Sequence, residues 1–194
     1  MTVLGITGGI GSGKSTVTNI LKILGIPVYI ADNESKRLTE SSPIIRSKLI
    51  EAFGKELYDG KILNKKLFAS IIFNDKEKLA TANHIIHPEV YKDFARWKAI
   101  YSHLAIIATE AAILFESGMN KHVDRTIMVY TPLNIRIERV MNRDNISKEA
   151  VIARINNQMP DEEKIKLSDH IIHNDETQSL IQQTLHIIDA YDKR

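Results

Sequence analysis

No cysteine occurs among the 194 residues. That excludes a disulfide framework, a thiolate metal site and a cysteine nucleophile, and it agrees with a reducing cytoplasm. Excess charge of one sign is equally scarce. Lys and Arg number 26 against 24 Asp and Glu, a formal net charge of +2. This is too small to argue for a nucleic-acid partner, although local basic patches can still face an anionic ligand. No apolar run reaches the roughly 20 residues of a membrane span. No basic segment precedes an apolar stretch at the N-terminus, where the first strand runs almost at once into a glycine-rich loop. The expectation is a soluble, unexported, cytoplasmic chain with neither a membrane nor a nucleic-acid partner. No internal repeat, low-complexity tract or linker divides it, and nothing in it signals an oligomeric state. With 43% hydrophobic and 26% charged residues, it suits one globular domain with a sizeable core and room for insertions.

What the sequence does have is Gly8-Gly9-Ile10-Gly11-Ser12-Gly13-Lys14-Ser15-Thr16, which fits the pattern Gly, four residues, Gly, Lys, Ser/Thr. The apolar run Val3-Leu4-Gly5-Ile6-Thr7 before it reads as a buried parallel strand. Val17, Ile20, Leu21 and Leu24 after it recur at helical spacing until Gly25 and Pro27 stop the helix. Four glycines let backbone N–H groups turn inward around an anion, and the helix start adds unpaired N–H groups and the positive end of its dipole. The pattern predicts a di- or triphosphate there, with Lys14 reaching the β- and γ-phosphates, Ser15 ligating Mg²⁺ and Thr16 touching the α-phosphate.

A second short strand, 27–30, ends at Ala31-Asp32. Ligands of open parallel sheets sit beyond the carboxyl ends of the strands, so Asp32 is a catalytic candidate: it accepts a proton from an attacking hydroxyl, or holds Mg²⁺ through water. The alternative is that it caps a helix beginning near Asn33. From there to about residue 102 the pattern is helical. Pro43 and Gly54 bracket one helix, Asn64 precedes a shorter one and Asp75 caps the next. Pro88 opens another in which Val90, Phe94, Trp97 and Tyr101 share an apolar face. Some seventy residues exceed what a plain crossover needs, so much of this segment reads as an insertion over the strand ends. His87-Pro88 marks the junction of two helices, where a lone histidine is either a structural hydrogen-bonder or a site residue. A third strand, 104–108, leads into Thr109-Glu110 and Ile113-Leu114-Phe115-Glu116, whose carboxylates either bind metal or substrate or are simply solvated. After a fourth strand, 126–130, Thr131-Pro132 supplies a helix start. Arg136, Arg139 and Arg143 then form one stripe of the helix, suited to polyphosphate. A second helix, capped by Ser147, runs to Pro160. The pair is either a mobile lid or a charge-laced hairpin in which Glu138, Asp144 and Glu149 pair with the arginines. A fifth strand, 170–173, and an apolar closing helix complete the chain.

Five strands alternating with helices, the phosphate loop after the first, predict a doubly wound α/β fold. The loop from Thr7 to Thr16, Ala31-Asp32, His87-Pro88, Ile113-Leu114-Phe115-Glu116, Arg139 with Arg143-Asp144, Gln158, and Asp169 through Ile172 to Asn174 together resemble dephospho-coenzyme A kinase, in order and over nearly the whole chain. The resemblance implies the P-loop fold of nucleoside-monophosphate-kinase type. Its core would be 1–32, 103–131 and 161–194, its helical substrate-binding insertion 33–102 and its lid 132–160. It implies transfer of the γ-phosphoryl group of ATP, with Mg²⁺, to the ribose 3′-hydroxyl of dephospho-CoA. It further implies that Asp32 is the general base, and that Lys14 and Arg139 serve the transferring phosphate. Gly9, Gly11, Ser12, Gly13, Ser15 and Thr16 would hold ATP, with Arg143 and Asn174 nearer the nucleotide. His87, Ile113, Leu114 and Glu116 would line the acceptor crevice.

The chain also departs from the family pattern. Ile30 stands where an acidic residue often opens Asp-Ala-Asp, with Glu110 as a candidate substitute; Ala112 replaces a frequent Pro; and Arg136 stands where a Gln often precedes the first lid arginine. Two rivals share the loop, another small-molecule kinase and a nucleotide-dependent switch. The inserted helices suit a second small ligand better than a switch loop, and no Asn-Lys-x-Asp motif for guanine is present.

Overall fold

The computed structural model describes residues 1–73 and 75–191. Strand β1 (Thr2–Thr7) is buried along all but its first residue. The glycine loop carries the chain into α1 (Lys14–Ile23), which buries Val17, Thr18 and Leu21. Gly25, at φ 79°, takes the left-handed conformation that ends a helix. Strand β2 (Val28–Ile30) passes straight into α2 (Ala31–Ser41). Asp32 is therefore the second residue of that helix and not a cap ahead of it, which corrects the expected start near Asn33.

The next helices begin where their caps place them. Ser42 accepts from the Ile45 amide at the head of α3 (Pro43–Phe53), and Gly54 closes it. A short antiparallel hairpin, β3 (Tyr58–Asp59) and β4 (Ile62–Leu63), follows. Asn64 accepts from the Leu67 amide at the start of α4 (Lys65–Phe73), and Asp75 accepts from the amides of Glu77 and Lys78 ahead of α5 (Lys76–Ile100). The expected junction at His87-Pro88 does not exist, because α5 runs 25 residues with Pro88 inside it. A mid-helix proline costs about 3 kcal/mol through its missing N–H and ring clash. Here Ala82, Ile86, Val90 and Phe94 are all buried along one stripe that spans the proline, and packing of that stripe outweighs the break. Trp97 stacks on Phe94 with ring centroids 5.9 Å apart but is only half-buried, at the edge of the core.

Strand β5 (Ile106–Glu110) lies two residues later than its apolar run suggests, and β6 (Arg125–Tyr130) leads to α6 (Leu133–Asp144). The single helix expected between Ser147 and Pro160 is shorter: α7 (Lys148–Ile155), capped by Ser147, is followed by turns and a separate α8 (Asp161–Leu167). Strand β7 (His170–His173) and α9 (Leu180–Asp189) close the fold.

Two compact units result, Met1–Ile30 with Lys98–Arg194, and Ala31–Trp97. In the first, five parallel strands take the order β2-β5-β1-β6-β7. Leu4, Ile6, Ile106, Ala108, Ile127, Val129 and Ile172 cover one face together with Val17 and Leu21 of α1 and Ile187 and Ile188 of α9. On the other face Leu114 and Val123 pack over Gly5, where a β-carbon would come within 3.0 Å of either. The chain leaves β1 for β2 at one edge and later crosses from β5 past β1 to β6 on the other side, so the loop after β1 sits where the strand order reverses, the place at which open α/β sheets bind ligands. The second unit packs α2 to α5 around Leu38, Ile45, Leu49, Leu57, Ile86 and Phe94. Among the described residues, no helix is long and apolar enough to cross a membrane.

Candidate active site

The glycine loop is held by short contacts within its own unit. The Ser12 amide donates to Gly9 O at 3.1 Å and the Thr16 amide to Gly13 O at 2.9 Å. Lys14 Nζ folds back onto Gly8 O at 2.9 Å and Gly9 O at 3.3 Å. The loop's carbonyls thus hold the ammonium at its rim. No side chain caps the start of α1, which leaves the helix's positive end and first-turn amides to an anion. Ser15 and Thr16 expose their hydroxyls in that first turn. Gly13 has φ 90°, and a β-carbon there would lie 2.1 Å from Asn174 Nδ2, so two independent constraints require glycine.

Asn174 braces the loop from behind, its Nδ2 donating to Ser12 O at 2.8 Å. The Thr131 hydroxyl does not cap α6; it sits between Ser12 O at 2.9 Å and Asn174 O at 3.0 Å. The three arginines of α6 part company. Arg139 reaches Asn174 O at 3.4 Å and pairs with the largely exposed Glu176 at 3.2 Å. An exposed ion pair of this kind is weak and readily exchanged. Arg143 pairs instead with its neighbour Asp144, which also holds Arg154; the Asp144 hydrogen bond raises the Arg143 pKa. This is the charge-laced hairpin contact. Arg136 is buried at 4% exposure, ion-paired to Asp161 at 2.7 Å.

The arm from Gln158 to Lys164 touches nearly every part of this constellation. Gln158 Oε1 accepts from the Ile10 amide at 2.9 Å. Glu116 accepts from the Met159 amide at 2.8 Å and from Lys164 Nζ at 2.9 Å, and the fully buried Lys164 also donates to Ala112 O at 2.7 Å. The expected crevice residues 113–116 therefore divide. Glu116 is committed to tying this arm to the turns after β5. Leu114 is a core residue against Gly5, which corrects its expected place on a crevice wall, and Ile113 is half-buried. Among the described residues Ser12 Oγ and Arg136 Nε are buried without a hydrogen-bond partner.

Of the remaining candidates, Asp32 and His87 belong to the helical unit and Glu110 to the sheet. Asp32 is exposed in the first turn of α2. His87 is half-buried inside α5, and burial lowers its pKa below the ordinary 6.5, so it is neutral at neutral pH. Glu110 closes β5 as the cross-strand neighbour of both Ile6 and Ile30, and directly opposed residues of parallel strands share a face. Sequence reasoning did not single out Thr131 as a loop brace, nor Asp161 and Lys164. The last two lie in Asp-Glu-Glu-Lys after Pro160, which reads as an ordinary solvated helix start.

Comparison with known proteins identifies the family. A family model described as dephospho-CoA kinase matches residues 2–179. The chain is 45% identical over 185 residues to the dephospho-CoA kinase of Bacteroides fragilis, covering 95% of this chain and 90% of that one. A solved structure from Thermus thermophilus superposes with a TM-score of 0.85 at 33% identity, over 100% of this chain and 98% of the other. The dephospho-CoA kinase from Campylobacter jejuni superposes with a TM-score of 0.72 at 28% identity, over 98% and 97%.

Proposed function

The chain belongs to the dephospho-CoA kinase family, and from that membership we propose how its residues divide the work of the reaction. The enzyme is an ATP-dependent phosphotransferase that moves the γ-phosphoryl group to the ribose 3′-hydroxyl of dephospho-CoA, the last step of coenzyme A biosynthesis. The observation that carries the assignment of roles is the uncapped start of α1 behind a glycine loop with Lys14 at its rim.

Phosphoryl transfer of this kind is in-line and loose, so the protein mainly positions the partners and neutralises charge. The amides of Gly9, Gly11, Ser12 and Gly13 and the first turn of α1 bind the ATP phosphates. Lys14 leaves its loop carbonyls for the β- and γ-oxygens. Arg139 exchanges Glu176 for the transferring group as segment 132–160 closes as a lid over the site. Asp32 orients the 3′-hydroxyl and takes its proton. The Ser15 hydroxyl in the first turn of α1 and the half-buried Glu110 carboxylate at the end of β5 are hard oxygen donors of the kind Mg²⁺ takes, and would hold it. The ion would supply charge neutralisation to the phosphates. Segment 33–102 holds the acceptor: the helical unit has a cavity of about 360 Å³ in which Leu63, Phe68, Ile72 and Ile86 stand beside the charged Lys36, Glu40 and Lys65, so that it offers an acceptor both apolar and charged surface. The setting of this chemistry is the cytoplasm.

Consumption of ATP in the presence of Mg²⁺, followed with and without dephospho-CoA, tests the reading. The expected result is slow basal hydrolysis and strong stimulation by dephospho-CoA but not by adenosine or pantetheine phosphate. ATP binding without such stimulation would favour a nucleotide switch or another acceptor.

A further inference from the structure

Arg136 and Asp161 hold a place that the reaction, as so far described, does not use. Arg136 projects from the first turns of α6 and is 4% exposed; Asp161 opens α8 and is 13% exposed; their side chains meet at 2.7 Å. Burying such a pair is costly, and an apolar pair of similar volume is often as stable or more so. The cost is not even fully met here, because Arg136 Nε is buried without a partner. Burial also pushes the Asp161 carboxyl above its usual range, against the opposing pull of Arg136 and Lys164. Stability alone therefore accounts poorly for the pair.

Its position accounts for it better. A β-carbon on Gly9 would lie 1.5 Å from Arg136 Nη1, and one on Gly11 would lie 2.7 Å from Arg136 O. The guanidinium thus occupies the space beside Gly9 that a side chain would otherwise fill. Three residues before Asp161, Gln158 takes the Ile10 amide. The arm that returns from α7 therefore grips consecutive loop residues, at Gly9 through Arg136 and at Ile10 through Gln158. Lys164 and Glu116 anchor the same arm to the turns after β5. We propose that the Arg136–Asp161 pair is a positioning device that fixes the Gly9–Ile10 segment of the phosphate loop against the base of α8, so that nucleotide phosphates meet a loop already in its binding shape.

This inference rests on the kinase reading for its catalytic consequence but not for its first readout, which is nucleotide affinity. Arg136→Lys keeps the charge while losing the planar fork that spans Gly9 and Asp161, and Asp161→Asn keeps the shape. The Mg²⁺ complex of a non-hydrolysable ATP analogue is titrated by calorimetry into each variant, into the double variant and into the unaltered protein. Thermal melting is recorded alongside, and KM for ATP and for dephospho-CoA are measured separately. Misplacing a binding element by about 1 Å costs up to roughly a hundredfold. The expected result is a cooperative melt, analogue affinity and ATP KM weakened by about ten- to a hundredfold in each single variant, and a dephospho-CoA KM within about twofold of the unaltered enzyme. The double variant is expected to be no worse than the weaker single variant, since both changes break one device. Analogue affinity within twofold of the unaltered protein in Arg136→Lys would overturn the proposal, as would single effects that multiply in the double variant. If either single variant fails to melt cooperatively, Arg136→Gln with Asp161→Asn supplies an uncharged, hydrogen-bonding pair. Restored folding with weakened affinity then supports the proposal, and restored folding with normal affinity contradicts it. Lack of dephospho-CoA turnover by the unaltered protein would strike the kinase reading alone.

Discussion

Lys14→Ala is expected to lower kcat by about a hundred- to a thousandfold, equivalent to roughly 3–4 kcal/mol of barrier, with little change in the fold. The reasoning is electrostatic. Lys14 Nζ stands 2.9 Å from Gly8 O and 3.3 Å from Gly9 O, at the rim of the loop proposed to cradle the phosphates. Charge builds on the γ-phosphoryl oxygens as the bond to ADP lengthens, and a fixed ammonium there is worth more in the transition state than in bound ATP. Lys14 is half-buried at a helix start and contributes no side chain to the apolar core, so its truncation leaves α1 and the sheet in place. Steady-state kinetics at saturating ATP, with circular dichroism and a melting curve as controls, check the prediction. A kcat within tenfold of the unaltered enzyme would remove Lys14 from the transition state.

Asp32→Asn is the second large effect. Asp32 is exposed, follows the carboxyl end of β2 by two residues and lies in the first turn of α2. As the proposed general base it would contribute about a hundred- to ten-thousandfold. The amide keeps the shape and loses the basicity, so kcat is expected to fall by that factor while KM for both substrates moves little. If Asp32 only complements the helix dipole, the substitution costs at most about 1 kcal/mol of stability and turnover is untouched.

How much of this could be seen in the sequence follows from the range of each interaction. The phosphate loop, β1 and α1 were legible because strand, glycines and helix are adjacent, and each local signal agrees with the others. The five-stranded sheet was legible because each strand carries a short apolar run bounded by turn or helix signals. Pro88 misled because its local cost is visible while the stripe from Ala82 to Phe94 that outweighs it is a property of tertiary packing. The β3–β4 hairpin escaped because two-residue strands carry no periodicity. Arg136, Arg139 and Arg143 looked alike by spacing, yet their partners are Asp161, Asn174 with Glu176, and Asp144. Only Asp144 is a near neighbour in the chain, and it was the one partner anticipated. Glu116 was legible as a site residue by resemblance, but its commitment to Lys164 across 48 residues was not. Ile30 lacks the acidic side chain of the related pattern, and the β2–β5 register sets Glu110 directly beside it, a placement that only strand pairing reveals.

Identification of the product tests the central claim most directly. The protein is incubated with ATP, Mg²⁺ and dephospho-CoA, and the purified product is analysed by mass and by phosphorus–proton correlation on the ribose. Parallel reactions use the 2′-deoxy and 3′-deoxy forms of the acceptor. The account predicts one added phosphate at the 3′ position, retained with the 2′-deoxy acceptor and abolished with the 3′-deoxy acceptor. Phosphate on the 2′-oxygen, or ATP consumed with the acceptor unchanged, would contradict it.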